Sequence, residues 1–167
     1  MSLSQSAPPE IPDFDLLRLV GRGGFGDVWL ARNRATGHLR AIKVIPLHRV
    51  GGADPAGREI TSLTRLEANL RQKHPNLLDI HHVGRTEEHL FYVMDLADDA
   101  AGGRPEATET YQPATLERRL AAGPLPAEEC WRLTDELLAG LEALHEAGMV
   151  HRDVEPANCL FVGGTLK

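Results

Sequence analysis

Apolar residues gather in short runs over 14–20, 27–32 and 39–45, separated by glycine-rich or polar stretches such as Asn33-Arg34-Ala35-Thr36-Gly37. Runs of that length bounded by turn residues predict three strands joined as an antiparallel meander. Ile60, Leu63, Leu66 and Leu70 then recur at helical spacing behind Asp54-Pro55, a cap and a first-turn proline. A helix is therefore expected over 55–72, ended by Pro75. Two more strands are expected over 77–83 and 89–96, around the polar turn 84–88. The segment 100–113 is rich in Gly, Pro, Thr and Glu, has no apolar period, and reads as a linker or surface insertion. Helical spacing returns after it, first over 114–121 and then over 126–147. The longer helix carries Trp131, Leu137, Leu138, Leu141 and Leu144, with Gly148 as its stop.

Composition narrows the class without naming a function. The chain has 167 residues, 42% hydrophobic and 25% charged, which is ordinary for one substantial globular domain. A formal net charge of -6 offers no basic stripe for a phosphodiester backbone, so nucleic acid is not an expected partner. The apolar runs are strand-sized, far below a membrane span, and 1–6 has neither the basic region nor the apolar core of an export signal. Cys130 and Cys159 show no metal-like spacing and are expected to be buried thiols in a reducing, cytoplasmic setting. The eight histidines, among them His81, His82 and His89, are read as strand-face or surface residues.

Three motifs carry chemistry. Glycines at 21, 23 and 26, in Gly21-Arg22-Gly23-Gly24-Phe25-Gly26-Asp27-Val28, free backbone amides to approach a polyphosphate. The same spacing occurs in dinucleotide-binding folds, where the last glycine opens a helix; here 27–32 continues as a strand, so the glycines form the tip of a hairpin. Lys43, in Ala41-Ile42-Lys43-Val44, shares a strand face with Ala41, and an inward lysine needs an anion. The third motif is His151-Arg152-Asp153-Val154-Glu155-Pro156-Ala157-Asn158.

Taken in this order, the motifs resemble a protein kinase of the bacterial serine/threonine type. The resemblance implies an α+β fold with a five-stranded antiparallel sheet and helix C in an N-lobe, followed by the beginning of a helical C-lobe. Boundaries on this basis are a flexible tail at 1–12, the N-lobe at 13–97, a hinge or insertion at 98–113, and the start of the C-lobe at 114–167. It implies ATP and magnesium as cofactors and a protein hydroxyl as substrate. Asp153 would accept or orient the hydroxyl proton and Asn158 would hold magnesium. Lys43 would meet the nucleotide phosphates and pair with Glu59, preferred to Glu67 because Ile60, Leu63 and Leu66 follow it at the right spacing. Val20, Val28 and Ala41 would pack above adenine, Leu160 below and Met94 behind, with the Asp95 carbonyl and the Ala97 amide bonding its edge.

Two features depart from the pattern. Glu155 stands where serine/threonine kinases place a lysine that touches the transferring phosphate, which substitutes an anion for a cation. The aspartate of a DFG motif would fall roughly three or four residues beyond Lys167. A fragment that is inactive alone is therefore expected, with the apolar face bearing Trp131 and Leu138 open to association. The alternatives are a pseudokinase or nucleotide-binding interaction module, and a small-molecule phosphotransferase of kinase-like fold, against which His74-Pro75-Asn76-Leu77 and the His151 run both speak.

Overall fold

A computed structural model describes residues 8–23, 26–47, 73–105 and 107–167. Five strands form one antiparallel sheet: β1 (Phe14–Gly23), β2 (Gly26–Asn33), β3 (Leu39–Pro46), β4 (Ile80–Arg85) and β5 (His89–Met94). Their spatial order is β1-β2-β3-β5-β4, so the chain leaving β3 returns one place further out and fills the gap with β5. The helix expected over 55–72 lies outside the described residues.

Alternation decides which side chain faces where. Ala31, Ile42, Val44, Phe91 and Val93 bury one face of the sheet together with Ile11, and Phe14, Leu16 and Trp29 pack against them. The other face holds Ala41, Ile45, Leu90, Tyr92 and Met94, with Val28, Leu78, Ile80 and Val83 alongside. β3 is therefore covered on both sides, which is why Ala41-Ile42-Lys43-Val44-Ile45 reads as a near-continuous apolar run. Each large aliphatic side chain buried here contributes about 1.5–3 kcal/mol.

The helical part has its own core of Leu133, Cys159 and Leu166, with Leu116, Leu125, Leu137 and Phe161 packed on it. Helix α1 (Leu116–Ala121) is capped by Thr115, whose hydroxyl accepts the Arg118 amide at 3.2 Å. Helix α2 (Ala127–Glu146) begins after Pro126 with Glu128 and Glu129 in its positive first turn. It ends where Gly148, at φ 73°, turns the chain away. Leu133, Gly140 and Leu144 face inward, whereas Trp131 and Leu138 are 72% and 57% exposed.

Several boundaries move from their expected places. β4 starts at Ile80 because Leu77 is spent in a turn, its amide bonded to the His74 carbonyl at 3.1 Å behind Pro75. β5 stops at Met94, and β1 runs on to Gly23. The segment 160–166 forms a hairpin, β6 (Phe161–Val162) and β7 (Thr165–Leu166), because Gly163 and Gly164 take φ of 59° and 79°. Cys130 is exposed rather than buried; Cys159 is buried, and burial raises its thiol pKa.

The largest correction concerns 100–113, which is no loose linker. Asp99 bridges Pro113, the Ala100 amide bonds the Gln112 carbonyl at 2.8 Å, and Tyr111 is only 1% exposed. One buried aromatic outweighs a polar, glycine-rich surround, because it supplies the apolar area that the rest of the segment lacks.

The two parts meet at Gly140. A Cβ there would lie 2.6 Å from the Asn76 backbone oxygen, so the turn after Pro75 rests directly on α2. The Asn76 amide also donates to the Leu166 carbonyl at 3.0 Å, and Lys167 Nζ donates to the Leu77 carbonyl at 3.1 Å. Gly140→Leu is expected to destabilise the protein by about 1–3 kcal/mol, since overpacking against a backbone atom exceeds the roughly 1 kcal/mol gained in helix propensity. Urea unfolding measures it, and an unchanged midpoint would show that this contact is not tight.

Candidate functional site

The glycine hairpin is built by β1 and β2, with Gly23 opposite Gly26 and Gly21 opposite Val28; Gly24 and Phe25, at its tip, lie outside the described residues. The three glycines are not equivalent. A Cβ on Gly26 would sit 2.5 Å from the Val44 carbonyl oxygen, so the close approach of β2 to β3 requires glycine there. At Gly21 and Gly23 the nearest atoms would be 3.5 and 3.4 Å away, ordinary contacts, and the fold makes no such demand. Gly26 is thus explained by packing, whereas no close contact demands glycine at Gly21 or Gly23.

Lys43 stands between Val28 and Tyr92 across the sheet, half-buried, with Nζ 5.8 Å from the centroid of the Tyr92 ring. An ammonium at that distance from an aromatic face is attracted by its quadrupole and held over one side of the sheet. Glu59, its expected partner, lies outside the described residues. Val28, Ala41 and Met94 share that face and one apolar cluster. Val20 is half-buried at an irregular point of the β1–β2 register and is not part of the cluster. Leu160 lines a cavity of about 190 Å³ with Leu77, Leu141, Leu144, Val154 and Asn158. Of the five expected apolar residues, Val28, Ala41 and Met94 thus share one cluster.

After β5 the chain leaves the sheet. The Asp95 side chain is engaged by His81, Nε2 to Oδ1 at 2.8 Å, and its amide bonds the Asp79 carbonyl. Among the described residues the Asp95 carbonyl and the Ala97 amide have no hydrogen-bond partner, although Ala97 is only 3% exposed. A buried amide left unpaired costs about 1–3 kcal/mol, so an acceptor from outside the chain is the physical expectation.

Asp98 is a residue that the motifs did not reveal. Its amide donates to the Phe161 carbonyl, and its carbonyl accepts the Ala114 amide, both at 2.8 Å. Its carboxylate accepts the Gly163 and Gly164 amides at 3.0 and 2.8 Å. One side chain thereby fixes the end of the sheet to the β6–β7 hairpin. An acidic residue followed far along the chain by Gly-Gly is the only signal in the sequence, and it is too common to act on.

The His151 run is largely exposed and tightly knit. Asn158, in a 3-10 turn (Pro156–Asn158), points its amide back along the loop. Nδ2 donates to the Asp153 carboxylate at 2.9 Å, the Asp153 carbonyl at 3.1 Å and Glu155 Oε1 at 3.3 Å. Two N–H bonds facing three acceptors cannot serve all fully, and Glu155 holds the longest contact. The arrangement gathers two carboxylates around one amide and leaves Asn158 Oδ1 as an oxygen donor. The Asp153 amide approaches His151 Nδ1 at 3.3 Å, which makes His151 a support of the loop. Arg152 takes φ 66°, a left-handed conformation that costs a non-glycine residue of order 1–3 kcal/mol. Such cost is tolerated where surrounding bonds over-determine the backbone.

A meander sheet with an inward lysine, joined by a short hinge to a helix that delivers an Asp-to-Asn loop, defines a kinase-like phosphotransferase architecture. The chain belongs to the protein kinase domain family, whose model matches residues 14–167. It is similar to CBL-interacting protein kinase 4 of Oryza sativa subsp. japonica, 37% identical over 95% of this chain and 32% of the relative. CBL-interacting serine/threonine-protein kinase 7 of Arabidopsis thaliana is 32% identical over 94% of this chain and 34% of the relative. An Aurora kinase of Encephalitozoon cuniculi is 30% identical over 88% and 48%. The chain thus spans about a third of the length of the two plant relatives. Among the described residues no helix is long and apolar enough to cross a membrane.

Proposed function

We propose that this chain carries the nucleotide site and catalytic loop of an ATP-dependent serine/threonine protein kinase. The observation that carries the reading is the Asn158 amide bonded to the Asp153 carboxylate at 2.9 Å, because it orients one carboxylate oxygen toward a hydroxyl and frees Oδ1 for a hard cation. The residues fit the cofactors in three respects: an unpaired Ala97 amide for an adenine nitrogen, side-chain-free backbone at Gly21 and Gly23 for phosphates, and the Asn158 Oδ1 for magnesium. Bound magnesium ATP supplies the transferable phosphoryl group and the charge that neutralises it. Lys43 binds the α- and β-phosphates, Glu59 positions Lys43, and Val28, Ala41 and Met94 exclude water from the adenine face. Val20 and Leu160 complete that slot. The division into 13–97, 98–113 and 114–167 follows the same reading.

The Arabidopsis thaliana relative carries a serine/threonine-protein kinase name, which supports that branch and not its bacterial subgroup. Two free thiols, Cys130 and Cys159, support a reducing cytoplasmic location. The exposed Trp131 and Leu138 support association through the outer face of α2. A second reading, a nucleotide-binding module without transfer activity, is favoured by Glu155 Oε1 on the Asn158 amide, which places an anion beside the transfer site.

Calorimetric titration with magnesium ATP tests the binding site shared by both readings. The chain is expected to bind, and Lys43→Met to weaken binding roughly tenfold to hundredfold, the worth of a charge-assisted hydrogen bond of about 1.5–3 kcal/mol. Equal affinity in the variant would remove Lys43 from the phosphate site.

A further inference from the structure

The segment 98–113 does something beyond closing a loop. It returns through the Asp99–Pro113 bridge and delivers the Tyr111 hydroxyl to the Ala97 carbonyl at 3.1 Å, with both residues almost fully buried. Burial, with Asp99 and Asp98 nearby, raises the phenol pKa well above its ordinary value, so this group remains a donor throughout the neutral range. Arg18 marks where the ring lies. Its charge acts on Tyr111, and it stands in one cross-strand row with Leu30, Ala41 and Met94, the row that roofs the proposed adenine slot. Its Nε and Nη2 are buried and, among the described residues, have no hydrogen-bond partner.

We propose that Tyr111 is a purine-specificity residue, whose hydroxyl occupies the Ala97 carbonyl and so denies it to a 2-amino group on the bound base. The inference rests on the proposed contact between the Ala97 amide and adenine N1. Position 2 of a purine is bonded to N1 and therefore lies on the Ala97 side of the ring. An amino group there is a donor, and the acceptor that the same residue offers is its carbonyl. With Tyr111 in place one of that oxygen's two lone pairs is taken, and a second donor must share the oxygen with the phenol or displace it. Adenine, which carries only C–H at position 2, loses nothing. The site thus accepts adenine and gains no affinity from 2-amino purines such as 2,6-diaminopurine.

The test is calorimetric binding of ATP and of 2,6-diaminopurine riboside triphosphate, each with magnesium, to the wild-type chain, Tyr111→Phe and Tyr111→Met. The wild type is expected to bind the two nucleotides with a ratio near one. In either variant the 2-amino nucleotide should bind roughly two- to tenfold tighter than ATP, the fold-change of one net neutral hydrogen bond. A purely structural Tyr111 would alter both affinities together and leave the ratio alone. A ratio unchanged in variants that still melt cooperatively overturns the proposal. A wild type that already prefers the 2-amino nucleotide by that factor overturns it without any variant, while ATP binding itself leaves the nucleotide-site reading intact. Failure of the wild type to bind either nucleotide overturns both.

Discussion

In a chain extended past Lys167 so that transfer can be measured, Asp153→Asn is expected to lower phosphoryl transfer from ATP to a protein hydroxyl by about 10²- to 10⁴-fold, the range for removal of a general base. The Asp153 carboxylate gives one oxygen to the Asn158 amide at 2.9 Å and keeps the other for a substrate proton. Asparagine preserves size and can accept the same hydrogen bond through its carbonyl, so the loop should hold. What it loses is the capacity to take a proton. Transfer of labelled γ-phosphate to a serine-containing protein reads the effect, and calorimetry with magnesium ATP should show nucleotide affinity within a few-fold of wild type. Undiminished transfer in a folded variant would exclude Asp153 as the base.

In the same extended chain Glu155→Lys is expected to work in the opposite direction, raising the transfer rate by tenfold or more. A carboxylate near the transferring phosphate costs roughly 1 to 4 kcal/mol per close charge pair at effective dielectric constants of 80 to 20, and a lysine reverses the sign of that interaction. Each 1.36 kcal/mol of barrier is a factor of ten. The structure adds a second route to the same outcome. Glu155 Oε1 competes at 3.3 Å for the Asn158 amide that orients Asp153, and its removal leaves that amide to Asp153 alone. The two routes separate in the control Glu155→Gln, which removes the charge but keeps an acceptor, and which should recover only part of the gain. No gain in either variant would mean that Glu155 turns away from the phosphate during reaction.

The sheet was legible because its signal is local. Strand runs at 14–20, 27–32 and 39–45 correspond to β1, β2 and β3 within a few residues, since alternation and turn chemistry act over neighbouring positions. The sharing of a face by Ala41 and Lys43 followed from the same period of two. Where apolar content competed with a turn, the expectation slipped: Leu77 and Leu78 look like strand, yet Pro75 and Asn76 spend them on a turn that must sit against Gly140. Likewise 160–166 reads as one strand until Gly163-Gly164 folds it into a hairpin, with the Asp98 carboxylate as the partner that makes the turn worth forming.

The site was legible in its motifs and not in its wiring. Asp153, Asn158 and Lys43 are named by spacing and order, which is information carried along the chain. Leu160, assigned to the adenine slot by resemblance, also lines a cavity with Leu77, Leu141 and Leu144, a grouping that its position along the chain does not announce. Tyr111 was invisible: it lies in a segment whose average composition says surface, and only its own burial contradicts the average.

What the sequence determined by itself is the class of protein and the candidate groups proposed for its chemistry, since motif order and strand period depend on residues near one another. What only the tertiary structure decided is which groups speak to which. The Asp98 carboxylate on Gly163 and Gly164, the Asn76 turn on Gly140, the sharing of one amide by Asp153 and Glu155, and the Tyr111 hydroxyl on the Ala97 carbonyl each depend on atoms in specific orientations. Hydrogen bonds require a fit of a few tenths of an ångström and tens of degrees. Apart from the short loop 153–158, that fit exists only after distant parts of the chain have been packed together.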